Sequence, residues 1–191
     1  MAVSYSLSTQ PLTADETDTH VCVANCHLFW NPKVPSIKSM QALYFLQRIQ
    51  EEMARYSKEN NVEVSLVVCG DFNTSPNSAV YELMSKKKVA HTHPDVGTLG
   101  FSIDFAHNLE LQSAYSSLGE PATNFAQDYT GCLDYIWYDR HFEVLSVLEN
   151  PLVSDNPELK ASLCNPDYRS LLPNPHYPSD HISIMSELVF K

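Results

Sequence analysis

The sequence predicts a single α/β domain, and three segments in its first half carry that prediction. Leu66 to Cys69 is a run of four apolar residues, which indicates a strand buried on both faces. His20 to Leu28 alternates between two faces, which is typical of a second strand. Between them, apolar residues recur at helical spacing from about Ser36 to Tyr56. A strand, a helix and a strand in this order favour a helix packed on a sheet.

The length and composition are typical of one globular domain. The chain has 191 residues, enough for one sizeable core and too few for two, and 43% of them are apolar. Residues 1–19 are polar and aperiodic, so we expect a loosely ordered segment there and a domain over residues 20–191. No stretch is long enough to cross a membrane. No secretion signal or transit peptide is visible, so we expect an intracellular protein, either cytoplasmic or mitochondrial.

Charge and cysteine content narrow the function classes. The net charge of −11 argues against a long electrostatic track along duplex nucleic acid. It leaves open a short nucleic-acid end held through metal ions, because divalent ions neutralise both carboxylates and phosphate. The five cysteines show neither disulfide nor zinc spacing. Several of them lie in apolar runs, as buried thiols do in a reducing compartment.

Polar residues follow the apolar run at the point where the strand ends. Gly70 breaks the run, and Asp71 and Asn73 then point the same way because they are two residues apart in extended chain. A carboxylate and an amide in one cavity suit a hard metal ion and a phosphate oxygen. They equally suit a strand-to-helix turn in which both side chains bond local backbone. The helix would run from Ser75 to Lys86, with Ser75 as its cap and Pro76 in its first turn.

Later segments add strands and a long loop. The stretch from Leu109 to Leu118 is left open between strand and short helix. The pattern predicts a clear strand at Cys132–Tyr138. It predicts a partner strand at Phe142–Leu148, joined to the first through the turn at Asp139 and Arg140. A proline-rich surface loop is predicted at Asn150–Tyr177, before the last strand.

Three further strand ends also carry polar side chains. They are Asn25 with His27, Asp134, and Asp180 with His181. A lone histidine such as His27 is usually a satisfied core residue, and any one of these groups could be structural. Together with Asp71 and Asn73 they supply three carboxylates, two amides and two imidazoles, with no serine or cysteine nucleophile signature. That inventory suits metal-assisted attack of water on a phosphate ester.

Four short motifs occur in the order of a known superfamily. The chain resembles the endonuclease/exonuclease/phosphatase (DNase I-like) superfamily, and within it the deadenylase branch that includes nocturnin, angel and 2′,5′-phosphodiesterase. The resemblance runs from about residue 21 to residue 190 and implies a two-sheet, four-layer α/β sandwich with the site at one edge. The motifs are Asn25-Cys26-His27-Leu28, Gly70-Asp71-Phe72-Asn73, Leu133-Asp134-Tyr135-Ile136 and Ser179-Asp180-His181.

The resemblance implies a metal site built from oxygen ligands. Asp71 resembles the family's water-orienting base or metal-site aspartate, and Asn73 resembles the amide that holds the metal or the scissile phosphate. Asp180 resembles the aspartate on the metal side. The implied ion is Mg²⁺, with Mn²⁺ as a possible substitute.

The resemblance also implies a histidine pair and a base clamp. Asp134 matches the carboxylate that orients the catalytic histidine, here His181. His27 matches the phosphate-contacting histidine, with Asn25 supporting it. In poly(A)-trimming members an adenine is clamped between a proline and an aromatic ring, and the matching positions are Pro32 and Tyr129. The alternative for Tyr129 is a loop aromatic that covers the core.

The implied activity is a metal-dependent phosphodiesterase or 3′ exoribonuclease that removes adenylate from RNA 3′ ends, either poly(A) or 2′,5′-linked oligoadenylate. One feature departs from the family: an upstream glutamate ligand has no counterpart, because Gln50-Glu51 lies in mid-helix. We therefore expect a partial, N-terminally truncated domain whose isolated chain is inactive. Two alternatives stay open. One is a non-catalytic binding module, and the other, less favoured, is an inositol-phosphate phosphatase, whose Trp-Cys-Asp-Arg signature is replaced here by Gly131-Cys132-Leu133-Asp134.

Overall fold

A computed structural model describes residues 4–8, 20–97, 100, 102, 104–126, 128–150, 172–173 and 177–191. The helices are α1, α2 and the short α3, followed by one 3₁₀ turn, at Pro35–Asn60, Ala79–Lys86, Pro94–Gly97 and Ser116–Leu118. The strands β1 to β11 are, in chain order, Ser4–Ser8, His20–His27, Val64–Asp71, Lys88–Val89, Phe105–Ala106, Leu111–Ser113, Asn124–Ala126, Tyr129–Gly131, Asp134–Asp139, Phe142–Val147 and Ser186–Phe190. This confirms the predicted mixed α/β class.

The main sheet has five strands in the order β1-β2-β3-β9-β6. β2 and β3 run parallel, as expected for two strands joined through a helix, and the other pairs are antiparallel. Leu66 and Val68 of β3 are fully buried while Val67, on the other face, is half-buried. The buried face forms one core with α1 and α2, through side chains such as Phe45, Leu46 and Leu83. The sheet therefore has one apolar face under the two helices.

The long helix α1 forms where its apolar spacing predicts it and extends four residues further. Pro35 occupies its first turn, where the missing N–H costs nothing. It ends at Asn61, whose φ of 55° is left-handed and whose N–H bonds to the carbonyl of Ser57. Arg48 and Arg55 form exposed pairs with glutamates one turn away, so the polar face is solvated.

The predicted start of the second helix is wrong. α2 begins at Ala79, and its cap is Ser78, whose hydroxyl accepts from the backbone N–H of Tyr81 at 3.2 Å. Pro76 lies in a turn before the helix, closed by a bond from the N–H of Ser78 to the carbonyl of Ser75. Serine is a favoured cap residue at either position, but Ser75 forms part of the turn and only Ser78 caps the helix.

Two other predictions are corrected by the strand pairing. β10 does not pair with β9, because both edges of β9 are taken by β3 and β6; β10 pairs instead with β11 in a separate two-stranded sheet. Residues 4–8, expected to be loosely ordered, form β1 on the edge of the main sheet beside β2. Residues 9–19 and most of the expected loop at 150–177 lie outside the described residues. None of the described helices is long and apolar enough to cross a membrane.

Candidate active site

Three site residues lie in a row across neighbouring strands. His27 ends β2, Asp71 ends β3 and Asp134 begins β9, and the sheet register pairs His27 with Asp71 and Asp71 with Asp134. Side chains in register on adjacent strands project to the same face. The Nε2 of His27 lies 3.4 Å from the Oδ2 of Asp71. The topology therefore brings together residues that are more than a hundred positions apart in sequence.

Gly70 allows the two parallel strands to come this close. It has a φ of +146°, and a Cβ at this position would lie 2.0 Å from the carbonyl oxygen of Cys26. Cys26 is its register partner on β2 and directly precedes His27. The obstacle is backbone, so no side-chain rotation relieves it. A glycine directly before the site aspartate is thus required by the packing of β2 against β3.

His181 reaches the same row from the last part of the chain. Its neighbours Asp180 and Ile182 bond through backbone to Phe125 and Thr123, at 2.8 and 2.9 Å. These bonds fix the histidine beside the start of β9, where its Nδ1 lies 2.7 Å from the Oδ2 of Asp134. Its Nε2 then faces Asp71, 3.9 Å from that carboxylate's Oδ2.

Thr123 completes this histidine–aspartate pair. Its hydroxyl donates to the Oδ2 of Asp134 at 2.6 Å and accepts from the backbone N–H groups of Leu133 and Asp134 at 3.0 and 3.1 Å. Burial lowers the pKa of His181, but the bond to Asp134 and the surrounding carboxylate charges outweigh it, so the pKa is raised. The imidazole is therefore stabilised in its charged form.

Asp71 has one oxygen in a local turn and the other in the site. Its Oδ1 accepts from the backbone N–H of Asn73 at 2.7 Å, which is the turn expected as the alternative role. Burial and then the charge of Asp134 raise its pKa, against the opposing effects of that backbone bond, His181 and His27. The positive charge near Asp71 is therefore too small to offset its burial and the charge of Asp134.

That shortage of positive charge suits a cation. Ligand atoms of Asp71, Asp134 and His181 all lie within 4.8 Å of one another, and in this group the Oδ2 of Asp71 faces the site as a ligand for a metal ion. A cation next to Asp71 would compensate its burial and the repulsion from Asp134. The residues present therefore fit a bound metal ion.

Asn73 is held by three hydrogen bonds, one of which comes from a buried lysine. Its φ is 50°, a left-handed conformation uncommon for residues other than glycine. Its Nδ2 donates to the carbonyl of Leu28 at 3.0 Å. The ammonium of Lys38, which is only 4% exposed, donates to the carbonyl of Asn73 at 2.6 Å. Burial lowers the pKa of this lysine, and this effect outweighs the charges of Asp95 and Asp71, which raise it.

Two residues of the site, Lys38 and Thr123, are not predicted by the sequence pattern. Lys38 did carry a signal, because it lies on the buried stripe of α1 with Ala42 and Phe45, four and seven residues later. A lysine on an apolar helix face needs a partner, here the loop after β3. Thr123 lies in the segment before β7 and offers no comparable pattern.

The row opens onto a cleft of about 940 Å³, lined by nineteen of the residues that the structure describes. Pro32 and Tyr129, the two predicted clamp residues, both line it, and so does Asp180, which accepts from the Nδ2 of Asn124 at 3.3 Å. Asn25 does not line the cleft. It is on the face of β2 that carries His27 but two positions back, beside Cys69 of β3. All other predicted site residues line the cleft: His27, Pro32, Asp71, Asn73, Tyr129, Asp134, Asp180 and His181.

The cleft is acidic. Five of the described aspartates line it, and the only lysine or arginine among the described lining residues is the buried Lys38. A phosphate ester entering this space alone would meet net repulsion. Divalent cations reverse that sign locally, because they are often the largest charges in such a site. The electrostatics therefore favour a metal-assisted reaction over one in which basic side chains bind the phosphate.

Comparison with known proteins agrees with this geometry. Residues 4–181 match the model of the Endonuclease/Exonuclease/phosphatase family. The chain is 31% identical over 200 residues to the CCR4-Not complex 3′-5′-exoribonuclease subunit Ccr4 of Aspergillus niger, and equally to that of Yarrowia lipolytica. Each alignment covers 92% of this chain but only 29% and 26% of those proteins. The chain thus spans less than a third of these relatives.

Solved structures show the same fold. The human nocturnin catalytic domain with bound sulfate aligns with a TM-score of 0.55 and 27% identity, covering 93% of this chain and 49% of that one. The 2′,3′-cyclic phosphatase ANGEL2 aligns with a TM-score of 0.66 and 20% identity, covering 98% of this chain and 66% of that one. With a family model matched over nearly the whole length, the chain belongs to the endonuclease/exonuclease/phosphatase family.

Proposed function

We propose that this chain carries the active site of a metal-dependent phosphodiesterase that removes adenylate from RNA 3′ ends. The observation behind the proposal is the grouping of Asp71, Asp134 and His181 within 4.8 Å at one wall of a cleft that also contains Tyr129. The Ccr4 relatives are named as 3′-5′-exoribonucleases, which supports the direction of attack. The substrate is a single-stranded RNA end or an oligoadenylate.

The metal we propose is Mg²⁺, with Mn²⁺ as a substitute, because the donors that face the cleft are mainly oxygens. Asp71 and the amide oxygen of Asn73 would hold it. Asp180 lines the same cleft and resembles the family's metal-side aspartate, although its carboxylate lies outside the three-residue group. When bound, the ion supplies charge neutralisation of the phosphate and a lower pKa for the attacking water.

The protein's own groups would then orient the water and stabilise the phosphoryl oxygens. Asp71 would orient the attacking water, because its Oδ1 is held by the backbone N–H of Asn73 and its Oδ2 faces the site. His181 is protonated more readily than an ordinary histidine, and with Nδ1 bonded to Asp134 it presents Nε2 to the phosphate. The exposed His27 offers a second contact.

Lys38 and Thr123 act through other residues. Lys38 fixes the carbonyl of Asn73, and Thr123 fixes the carboxylate of Asp134. Neither needs to touch the substrate. They serve as positioning residues that hold the reacting groups in place before substrate arrives.

Base selection is assigned to Pro32 and Tyr129. Both line the cleft, and Tyr129 is 43% exposed, which leaves its ring available to a ligand. A base stacked on an aromatic side chain gains roughly 1–3 kcal/mol. The clamp is compatible with 3′,5′-linked and with 2′,5′-linked adenylate, so the linkage is decided by assay.

The test uses 5′-labelled oligoadenylate, oligouridylate and 2′,5′-oligoadenylate with the purified chain and Mg²⁺. Because the chain alone is expected to be inactive without the upstream glutamate ligand, the N-terminal half of a family member is supplied in cis or as a separate chain. We then expect stepwise release of AMP from the 3′ end of an oligoadenylate, loss of activity with EDTA, and recovery with Mg²⁺ or Mn²⁺. Asp71→Asn and His181→Ala should each reduce the rate on the order of a hundredfold or more. Glu51→Gln, on the exposed face of α1, is the matched control and should not change it.

Two results would contradict the proposal. One is hydrolysis that persists unchanged in EDTA. The other is equal activity of wild type and Asp71→Asn, because the reaction would then not use this cleft. Cleavage of oligouridylate as fast as oligoadenylate would remove the adenine clamp and leave only the phosphodiesterase chemistry.

A further inference from the structure

Trp30 is a large aromatic side chain that the fold leaves in solvent. It is 67% exposed, the highest value among the exposed large apolar side chains of the described residues. It lines the same cleft as Pro32 and Tyr129. Tryptophan is well buried on average, so one left this open beside a ligand cleft has no packing role that explains it.

The two residues directly before Trp30 are bonded to β3 and to α1. The backbone N–H of Leu28 donates to the carbonyl of Asp71 at 2.9 Å, and the N–H of Phe29 donates to the side chain of Gln41 on α1 at 2.9 Å. The ring of Phe29 lies against that of Trp30, with centroids 6.1 Å apart. Exposure of Trp30 is therefore a property of an anchored segment, and an anchored ring loses little freedom when it binds a ligand.

The charge of the cleft defines what a second nucleotide could gain there. The whole chain has 12 lysines and arginines but 23 acidic residues. In the cleft, the ammonium of Lys38 is already bonded to the carbonyl of Asn73. Each further nucleotide adds a negatively charged phosphate next to an acidic surface. Charge attraction therefore cannot bind a second nucleotide at a point distant from the metal site. Stacking can, because every base has an aromatic face and needs no basic partner.

We propose that Trp30 is a stacking platform for the base that precedes the terminal nucleotide of a single strand, an inference that rests on the proposed function. The terminal base lies between Pro32 and Tyr129. Two residues of chain separate the Cα atoms of Trp30 and Pro32 by at most about 7 Å. That is roughly twice the rise of one nucleotide in a stacked strand, about 3.4 Å. Two consecutive bases, unstacked from each other, can therefore each use one platform.

The ligand class that follows is an oligonucleotide with at least two bases at its 3′ end. A mononucleotide fills only the Pro32 and Tyr129 subsite. A dinucleotide fills both subsites, and one that lacks the 5′ base fills the first subsite and leaves Trp30 unstacked.

The experiment measures intrinsic fluorescence during titration with the dinucleotide pApA, with AMP, and with an analogue of pApA whose 5′ nucleotide is abasic. The chain has two tryptophans, and the other, Trp137, is 1% exposed, so quenching by a ligand reports on Trp30. A His181→Ala background prevents cleavage during the titration. We expect pApA to quench, and AMP and the abasic analogue to leave the fluorescence nearly unchanged.

Variants then separate stacking from folding. Binding is followed by competition with a labelled oligoadenylate, so that it can be measured without Trp30. Trp30→Ala should raise the Kd of pApA about tenfold and leave the Kd of AMP and of the abasic analogue unchanged. Trp30→Phe should restore most of the affinity. Tyr44→Ala removes an aromatic ring of similar exposure outside the cleft and should have no effect.

Each outcome decides the matter. Equal weakening of all three ligands by Trp30→Ala, or no weakening of pApA, would overturn the second subsite while leaving the nuclease proposal intact. A wild-type chain that binds neither AMP nor oligoadenylate would overturn the proposed function, and this inference with it.

Discussion

Gly70→Ala should damage both the stability of the domain and its candidate site. The new Cβ would lie 2.0 Å from the carbonyl oxygen of Cys26 and 2.9 Å from its carbonyl carbon. Real Cβ atoms stay beyond about 3.0 Å of such atoms, so β2 and β3 must separate by about an ångström at this point. The shift falls one residue before Asp71 and would widen its approach to His27.

The cost has two parts that can be added. Forcing alanine into a φ of +146° costs roughly 1–3 kcal/mol. Disrupting one or two bonds of the β2–β3 ladder costs roughly 1 kcal/mol each. The sum is about 2–5 kcal/mol of the free energy of unfolding, a large share of the roughly 5–15 kcal/mol that stabilises a typical domain. At this chain length the melting temperature should fall by roughly 4–20 °C.

The assay is thermal and urea unfolding followed by circular dichroism, with Gly119→Ala as the matched control. Gly119 also has a positive φ, +74°, but nothing lies within 4 Å of an added Cβ. Its substitution should cost only the backbone strain, about 1 kcal/mol. If the two variants lose the same stability, the collision with Cys26 is not real and the explanation for Gly70 fails.

Three further predictions concern individual site residues. Because the pKa of His181 is raised in the folded state, its stabilising contribution is complete below about pH 6.5 and is lost as pH rises through the raised value. Urea unfolding from pH 5.5 to 9 should show this loss in wild type, and Asp134→Asn, which removes the charge, should flatten it; a matching slope in both would contradict the pairing. Lys38→Met should lower kcat about tenfold with little change in KM, because the carbonyl of Asn73 loses its donor, whereas Lys38→Arg should retain more activity. A change in KM alone would instead make Lys38 a substrate-binding residue. Tyr129→Ala should raise KM for oligoadenylate by roughly one to two powers of ten and leave a base-free phosphodiester unaffected; equal losses on both would make Tyr129 a structural residue.

The parts of the fold that were predictable from sequence are those set by local patterns. The apolar run at Leu66 to Cys69 forms β3, the alternation from His20 forms β2, and the spacing along α1 forms the helix between them. Asp71 follows β3 as the pattern predicts, and the same residue serves in the local turn and in the site. The sequence alone offers these two roles as alternatives, yet a carboxylate has two oxygens and can fill both.

The errors arise where distant segments compete for the same partner. β9 and β10 are neighbours in sequence, and local reasoning pairs them. At the end of β9, however, the side chain of Asp139 accepts a hydrogen bond from the backbone N–H of Leu66 at 2.7 Å, and the chain then leaves the main sheet. Strand pairing of this kind depends on which edges are already occupied, and no local pattern encodes it.

Lys38 illustrates a second limit. A lysine in a helix is ordinarily taken as a solvent-facing residue, and its neighbours in sequence give no reason to expect a bond to a loop 35 residues later. Only the packing of α1 beside the end of β3 defines its partner. Its position on the buried stripe is visible in the sequence, whereas the partner is not.

The candidate site depends on correct strand register, because His27, Asp71 and Asp134 lie on three neighbouring strands. Neighbouring strands are about 4.8 Å apart, so the spacing of the three groups is set by the backbone ladder more than by side-chain packing. A slip of one residue in β3 would turn Asp71 toward the helices and bring Gly70 to the cleft face. A chain with correct secondary structure but shifted pairing would keep its circular dichroism spectrum and lose its chemistry. Restoration of activity, rather than of helix and strand content, is therefore the proper measure of successful refolding for this domain.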